Sequence, residues 1–360
     1  MTATDTGSNT SLEFSIYGTL SSNGTSVSAG AGSLRTIWGA QLVKGDQPKD
    51  YLKTTDRLDI PRIDYTNGEP SILLEPSRTN LATESNNPNS ITGLTQTSVS
   101  SPEGINNAFR LTETTANSQH FAQMICSVTS GVVHTISFFI KKGNGYTTAK
   151  LYTQSAKINS DVTVNFETKS ITLAGTHIVA GSEKLETYPN DWFRVSYSAT
   201  PIATGGMYIY AVVKDLSSYT GSTDNYIDYY GFQVEVGSYA TSLIHTSGSA
   251  VTRSADSANN AGNSDLFNDS EGVLYAEIKA LSNDQTTRKI SISDGTTSNA
   301  IYIAYITTSN SVRGLISSSG NTQVKDVVLN ITDYNKLAVR YNNNGTGSFW
   351  INGINYGTIN

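Results

Sequence analysis

Tyrosine is the residue here best suited to recognition chemistry: it occurs 20 times, against 10 phenylalanines and 3 tryptophans. Its ring stacks on apolar faces, those of sugars included, while its hydroxyl stays available to polar groups. Two segments place such rings on one side of an extended chain. Along residues 207–213, Met207, Ile209, Ala211 and Val213 alternate with Tyr208 and Tyr210; along 149–154, Leu151 opposes Lys150, Tyr152 and Gln154. The two-residue period of a strand turns Tyr152, Tyr208 and Tyr210 away from a core. A face carrying all three is a candidate carbohydrate-binding platform. The competing reading is of half-wet strand residues, or of rings covered by a neighbouring subunit. Trp192 and Arg194 share another face, opposite Phe193, Val195 and Tyr197, where Trp192 offers stacking and Arg194 a donor to hydroxyl or carboxylate. Trp350 adjoins a turn, and both stacking and packing stay open for it.

Groupings for catalysis are not seen in the spacing. His120, His134, His177 and His245 are scattered, with no pair at metal-ligand spacing. Cys126 is the sole cysteine, which excludes an intrachain disulfide and a cysteine-based metal site. No Gly-x-Ser-x-Gly elbow or phosphate-cradling glycine loop stands between a strand and a helix. A retaining glycosidase needs two carboxylates about 5 Å apart. Glu183 and Glu186 lie near a turn and Glu235 stands alone on its strand, so all three read as solvated surface carboxylates. The expectation is of a protein that is not an enzyme and carries no cofactor.

Composition narrows the class further. Of 360 residues, 15% are charged, below the roughly 25% of an average soluble domain. Ser, Thr, Asn and Gly make up the difference, as in strands with polar faces joined by tight turns. The net charge is −6, and no basic cluster exists that neutralises several phosphates in a row, which argues against nucleic acid. No apolar run approaches the roughly 20 residues of a membrane span. Residues 1–5 lack the basic and apolar pattern of a signal peptide, so synthesis in a cytoplasm is expected, and release by a route other than secretion.

The elements that must position these residues are strands. Residues 134–143, 191–198, 207–213 and 226–236 read as strands separated by Gly and Asn clusters, and no long segment has helical periodicity. The expected class is all-β, with tandem antiparallel β-sandwich (jelly-roll) modules. A repeat organises the chain: Ile37-Trp38-Gly39-Ala40-Gln41-Leu42-Val43-Lys44-Gly45 resembles Tyr229-Tyr230-Gly231-Phe232-Gln233-Val234-Glu235-Val236-Gly237. Each copy reads as the closing strand of a sandwich followed by an exit segment. The second has a full sandwich's worth of strands before it and the first does not. Residues 1–64 are therefore expected to be a partial module completed by another chain, or else a small complete domain. Residues 65–81 read as an extended connector and 82–256 as a jelly roll. Residues 257–360 read as a last sandwich, including a hairpin of 336–341 with 348–353, and an incomplete one.

Pro61-Arg62-Ile63-Asp64-Tyr65 followed by Ile72-Leu73-Leu74-Glu75-Pro76-Ser77-Arg78-Thr79-Asn80-Leu81 resembles a connector of modular bacteriophage tail-fibre and related virion proteins. The segment from Tyr230 to Ile244, continuing to Val251-Thr252-Arg253-Ser254-Ala255-Asp256, is similar to the end of their carbohydrate-binding-module-like jelly rolls. Residues 265–360 look like a concanavalin A-like, laminin-G-type sandwich. The resemblance implies a virion component that binds host glycan or acts as a structural spacer or adaptor. It further implies a homotrimer whose N-terminal region contacts other virion proteins. It favours packing for Trp192, whose Trp-aromatic-Arg-Val strand is structural in such jelly rolls, and it makes Asp228 a candidate ligand of a structural calcium. A polysaccharide depolymerase is the third reading, and no short regular repeat of the β-helix kind supports it.

Overall fold

The computed structural model describes residues 62–64, 70–154, 157–259, 262–263, 265–268, 270–343 and 346–359. The chain divides into two units, one of residues 1–73 with 256–259, the other of 74–255 with 260–360. In the first, β1 (Arg62–Asp64) pairs antiparallel with β2 (Ser71–Leu73). The first repeat copy and nearly all of the expected half-module 1–64 lie outside the described residues.

The second unit holds two β-sandwiches, and every strand pair in it is antiparallel. The jelly roll comprises β3 (Arg78–Asn80), β4 (Ser90–Thr92), β5 (Leu94–Val99), β6 (Ala108–Glu113), β7 (Asn117–Ser118), β8 (Phe121–Val128), β9 (His134–Asn144), β10 (Thr148–Gln154), β11 (Asn159–Asn165), β12 (Ser170–Thr176), β13 (Lys184–Tyr188), β14 (Trp192–Ala199), β15 (Gly205–Val212), β16 (Tyr219–Thr220), β17 (Tyr226–Val236) and β18 (Val251–Arg253). One sheet runs β12-β11-β10-β15-β8-β4 and the other β13-β14-β9-β17-β6-β5; β7 pairs with β16, and β3 with β18. The C-terminal sandwich comprises β19 (Gly272–Ile278), β20 (Arg288–Ser293), β21 (Ala300–Tyr305), β22 (Ser311–Ser318), β23 (Asn321–Val328), β24 (Asn335–Tyr341), β25 (Gly347–Ile351) and β26 (Ile354–Ile359). Its sheets run β19-β24-β25-β26 and β20-β21-β22-β23, around a core that includes Leu337, Val339 and Phe349. No α-helix occurs among the described residues.

Alternation decides what the jelly roll buries. Met207, Ile209 and Ala211 of β15, Leu151 of β10, and Phe193, Val195 and Tyr197 of β14 all enter one core. On β17 simple alternation fails. Ile227 and Tyr229 face the core, and so do Phe232 and Val234, which changes parity in mid-strand. A register shift between Tyr230 and Gln233 produces this change, and Gly231 within it has φ +64°. A β-bulge adds one residue to a strand and favours glycine at a left-handed position. A Cβ on Gly231 would also come within 2.8 Å of the Leu243 side chain.

The sheet that contains β17 is covered on both sides. Trp192, Phe139, Tyr230 and Ala108 form a small cluster on its outer side, packed with Leu243 and Val99. Trp192 is 1% exposed, so it packs, as the resemblance implied. The cover is built from segments 74–85 and 237–247. Asn80 is its main fastener: its Nδ2 donates to the carbonyls of Phe232 (3.0 Å) and Ile244 (2.8 Å), and its Oδ1 accepts from the amides of Ala82 (3.0 Å) and Val234 (3.1 Å). Gln233 Oε1 accepts from the Ile244 amide at 2.7 Å. Glu235 accepts from Gln233 Nε2 (2.8 Å) and from the Thr241 amide and hydroxyl (both 2.7 Å). Glu75 pairs with Arg253 at 2.9 Å and accepts from the Ser242 amide. Arg78 lies where a Cβ on Gly237 would stand, 2.9 Å from its Nη2. The connector and the closing-strand segments are thus two halves of one buried polar network, in which Gly231, Gln233 and Gly237, the residues shared with the first repeat copy, each have a role. This corrects the reading of Glu235 as a solvated carboxylate: it is buried, because the exit segment folds back over the face that alternation assigns to solvent.

Candidate functional site

The other jelly-roll sheet keeps its outer face open. Register places Asp161 of β11 opposite Tyr152 of β10, Tyr152 opposite Tyr210 of β15, Tyr210 opposite Gln123 of β8, and Gln123 opposite Ser90 of β4. One row across five strands therefore carries a carboxylate, two phenols, a carboxamide and a hydroxyl. Tyr208 stands one step along β15, 44% exposed, with its ring centroid 6.4 Å from that of Tyr210. Phe121 supports Tyr210 edge-on at 5.2 Å. Tyr152, Tyr208 and Tyr210 thus share one face. Asp161, Gln123, Ser90 and Phe121 emerge only with the strand register, since their segments are distant in sequence.

The electrostatics keep this face rich in donors. Desolvation raises the Tyr152 phenol above its ordinary value, and desolvation with the neighbouring Tyr208 does the same for Tyr210. Both keep their O–H at neutral pH. Lys150 pairs with Asp161 at 3.1 Å and sits 5.4 Å from the Tyr152 ring centroid. Desolvation works to lower its ammonium, but the hydrogen bond and charge of Asp161 leave it raised, so Lys150 stays charged. Flat rings flanked by fixed donors and acceptors can hold a pyranose by its C–H face and its hydroxyls.

The C-terminal sandwich has an outward aromatic pair of its own. Tyr275 lies opposite Ala338, and Ala338 opposite Trp350. Tyr275 and Trp350 are 56% and 37% exposed. Two strand spacings separate them, about 10 Å, with the small Ala338 as floor. Val273, Lys336 and Arg340 complete a groove of about 410 Å³. Trp350 therefore faces outward, and its indole N–H donates to Ser348 Oγ at 2.9 Å.

Asp228 is placed differently from a calcium ligand. Its two oxygens accept from Arg110 Nε (2.7 Å) and Nη2 (3.0 Å), and the Arg110 guanidinium lies 3.7 Å from the Tyr226 ring centroid. Calcium takes six to eight oxygens, and among the described residues no three His, Cys, Asp or Glu side chains gather to supply them. The donor set does not fit that ion. EDTA is expected to leave the melting temperature unchanged; a fall of several degrees, reversed by calcium, would revive the calcium reading.

Other titratable groups serve the fold. Burial pushes the Cys126 thiol up to about 12, which leaves it unreactive. Burial lowers His134, whose Nδ1 lies 2.8 Å from the Val132 carbonyl. Glu113, also buried, accepts from the Tyr219 (2.6 Å) and Tyr146 (3.1 Å) hydroxyls, the Ser222 amide (2.9 Å) and Asn225 Nδ2 (3.0 Å).

No family model and no curated protein matches the chain. Among solved structures it is similar to the CBM22-1–GH10 modules of the Clostridium thermocellum N-terminal endo-1,4-β-D-xylanase 10B, complexed with xylohexaose, at 13% identity and a TM-score of 0.23. The match covers 46% of this chain and 30% of that one. A likeness of that size carries no argument about activity or ligand.

Proposed function

We propose that this chain is a non-enzymatic virion protein, a tail-fibre or appendage component, that displays β-sandwich faces for attachment to host surface glycan. The observation that carries the glycan reading is the row Asp161, Tyr152, Tyr210, Gln123 and Ser90, with Tyr208 beside it, on the open face of the jelly roll. The Tyr275–Trp350 groove offers the same chemistry on the second sandwich. The virion setting rests on the likeness of the connector and closing-strand segments to those of phage fibre proteins. In that setting copies of the chain associate, as a homotrimer, and residues 1–64 reach other virion proteins. The non-enzymatic reading is supported by Glu235 and Asp228, whose carboxylates are committed to structural partners.

A glycan array with purified protein tests the binding. Wild type is expected to bind a subset of host glycans. Tyr208→Ala and Tyr210→Ala should each weaken that binding, by up to about tenfold, since an aromatic stacking contact is worth about 0.5–1.5 kcal/mol. Absence of binding by wild type, or binding by both variants as strong as that of wild type, would sink the reading. Reducing ends released from host polysaccharide would overturn its non-enzymatic part.

The apolar character of the second groove, Val273, Tyr275, Ala338 and Trp350, favours one other reading: a structural spacer or adaptor that buries this face against another subunit. Sedimentation separates the two. Tyr275→Asp dissociates the assembly on the structural reading and leaves it intact on the glycan reading.

A further inference from the structure

The groove on the C-terminal sandwich carries charge as well as aromatic rings, and the charge has one sign. Strand β24 forms its floor. Lys336, Ala338 and Arg340 of that strand line the groove, while Leu337 and Val339 between them enter the core. Lys336 and Arg340 are exposed and stand about 13 Å apart along the strand. Tyr275 and Trp350 flank Ala338 from the neighbouring strands. The side chains form a cross, with two rings on one axis, two cations on the other and the Ala338 methyl group at the centre.

No acid answers these cations within the groove, since no carboxylate lines it. Glu277 stands opposite Lys336 in register, outside that lining, and makes no ion pair with it. Elsewhere in residues 74–359 arginine is committed. Arg78, Arg110, Arg253, Arg288 and Arg313 each pair with a carboxylate, and Arg194 donates to Ser137 Oγ and the Thr241 carbonyl. Arg340 differs: among the described residues it has no ion pair and no side-chain hydrogen bond, and its cross-strand neighbours are Val273 and Ser348. The Ser348 hydroxyl oxygen already accepts from the Trp350 indole. In a chain of net charge −6, an aromatic groove with two cations and no anion is complementary to a negatively charged ligand.

We infer that the Tyr275–Trp350 groove selects an acidic saccharide, a short oligosaccharide with carboxylate-bearing sugars. The inference rests on the glycan reading of the second sandwich and adds the charge of its ligand. A pyranose lies over Ala338 with its C–H face between the two rings. Its carboxylate, or that of the next sugar, meets the Arg340 guanidinium, whose planar fork matches a carboxylate, and Lys336 supplies a point charge at the other end. A neutral sugar gains the ring contacts alone. Two cations are too few for the row of phosphates that holds a nucleic acid. The jelly-roll row differs in charge, since there Asp161 already neutralises Lys150.

An array that pairs sialylated and uronate-containing glycans with their own carboxyl methyl esters tests this on two full-length proteins, wild type and the double variant Lys336→Gln/Arg340→Gln. The ester keeps the sugar and removes the charge. Wild type is expected to bind acidic members roughly five- to tenfold more tightly than their esters, the effect of two partly exposed ion pairs. The double variant should bind acid and ester alike with an unchanged melting temperature, because both side chains are exposed and unpaired in the fold. Binding of acids and esters with equal strength by wild type, or a preference for acids that persists in the double variant, would overturn the acidic assignment and leave the glycan reading standing. Wild type that binds neither acids, esters nor neutral glycans would overturn both.

Discussion

Replacing Asn80 by alanine is expected to lower the melting temperature of the jelly roll by about 8–16 °C, the largest effect of any single polar substitution considered. The side chain is fully buried and makes four hydrogen bonds, two to carbonyls and two to amides. Its removal strands those backbone groups beneath the connector and the exit segment. Each unmet buried group costs about 1–3 kcal/mol, and water entering the gap recovers part of it. A net loss of about 4 kcal/mol follows, and in a domain of this size 1 kcal/mol moves the midpoint by about 2–4 °C. Thermal unfolding followed by circular dichroism at pH 7 reads the shift. Because Asn80 joins segments more than 150 residues apart, the loss should also open the cover over Trp192, visible as a red shift of tryptophan emission before global unfolding. A shift below about 2 °C would mean that the network is not fastened through Asn80.

The second large effect concerns Glu113. Burial works to raise its carboxyl. The hydrogen bonds from Tyr219, Ser222, Asn225 and Tyr146 outweigh burial and hold it below the ordinary glutamate range. A carboxyl depressed in the folded state contributes stability that is fully present above its unfolded value, about 4.3. That stability is lost as pH falls through the folded value. Glu113→Gln keeps the shape but turns an NH2 group toward donors, and should cost about 2–3 kcal/mol at pH 7, the worth of hydrogen bonds to a charged group. Below pH 4 the wild type loses the same contribution, so the gap between the two proteins should narrow with acidification. Melting curves from pH 7 to pH 3 test this; a gap constant across that range would show that the Glu113 charge has no part in stability.

How much of this was legible in the sequence depended on the reach of each interaction. Local alternation sufficed for the faces of β10, β14 and β15, because a strand's period of two is set by neighbouring residues. The bulge on β17 lay in the shared Gly231, yet its effect on parity was not readable from alternation: Phe232 and Val234 enter the core only because Gly231 takes a left-handed turn. Glu235 was misplaced for a related reason. Alternation assigns a residue to the side opposite the core, and only the folding back of segments 74–85 and 237–247 makes that side an interior.

By itself the sequence determined an all-β chain of antiparallel sandwiches, the outward direction of Tyr152, Tyr208 and Tyr210, and the segments that close the jelly roll. Side-chain period and residue type are local properties, and they carry that information directly. Tertiary structure alone decided which of the two outer faces is open and that Asp161, Gln123 and Ser90 stand in line with the tyrosines. These depend on pairings between residues up to 176 positions apart, whose partners no local pattern specifies.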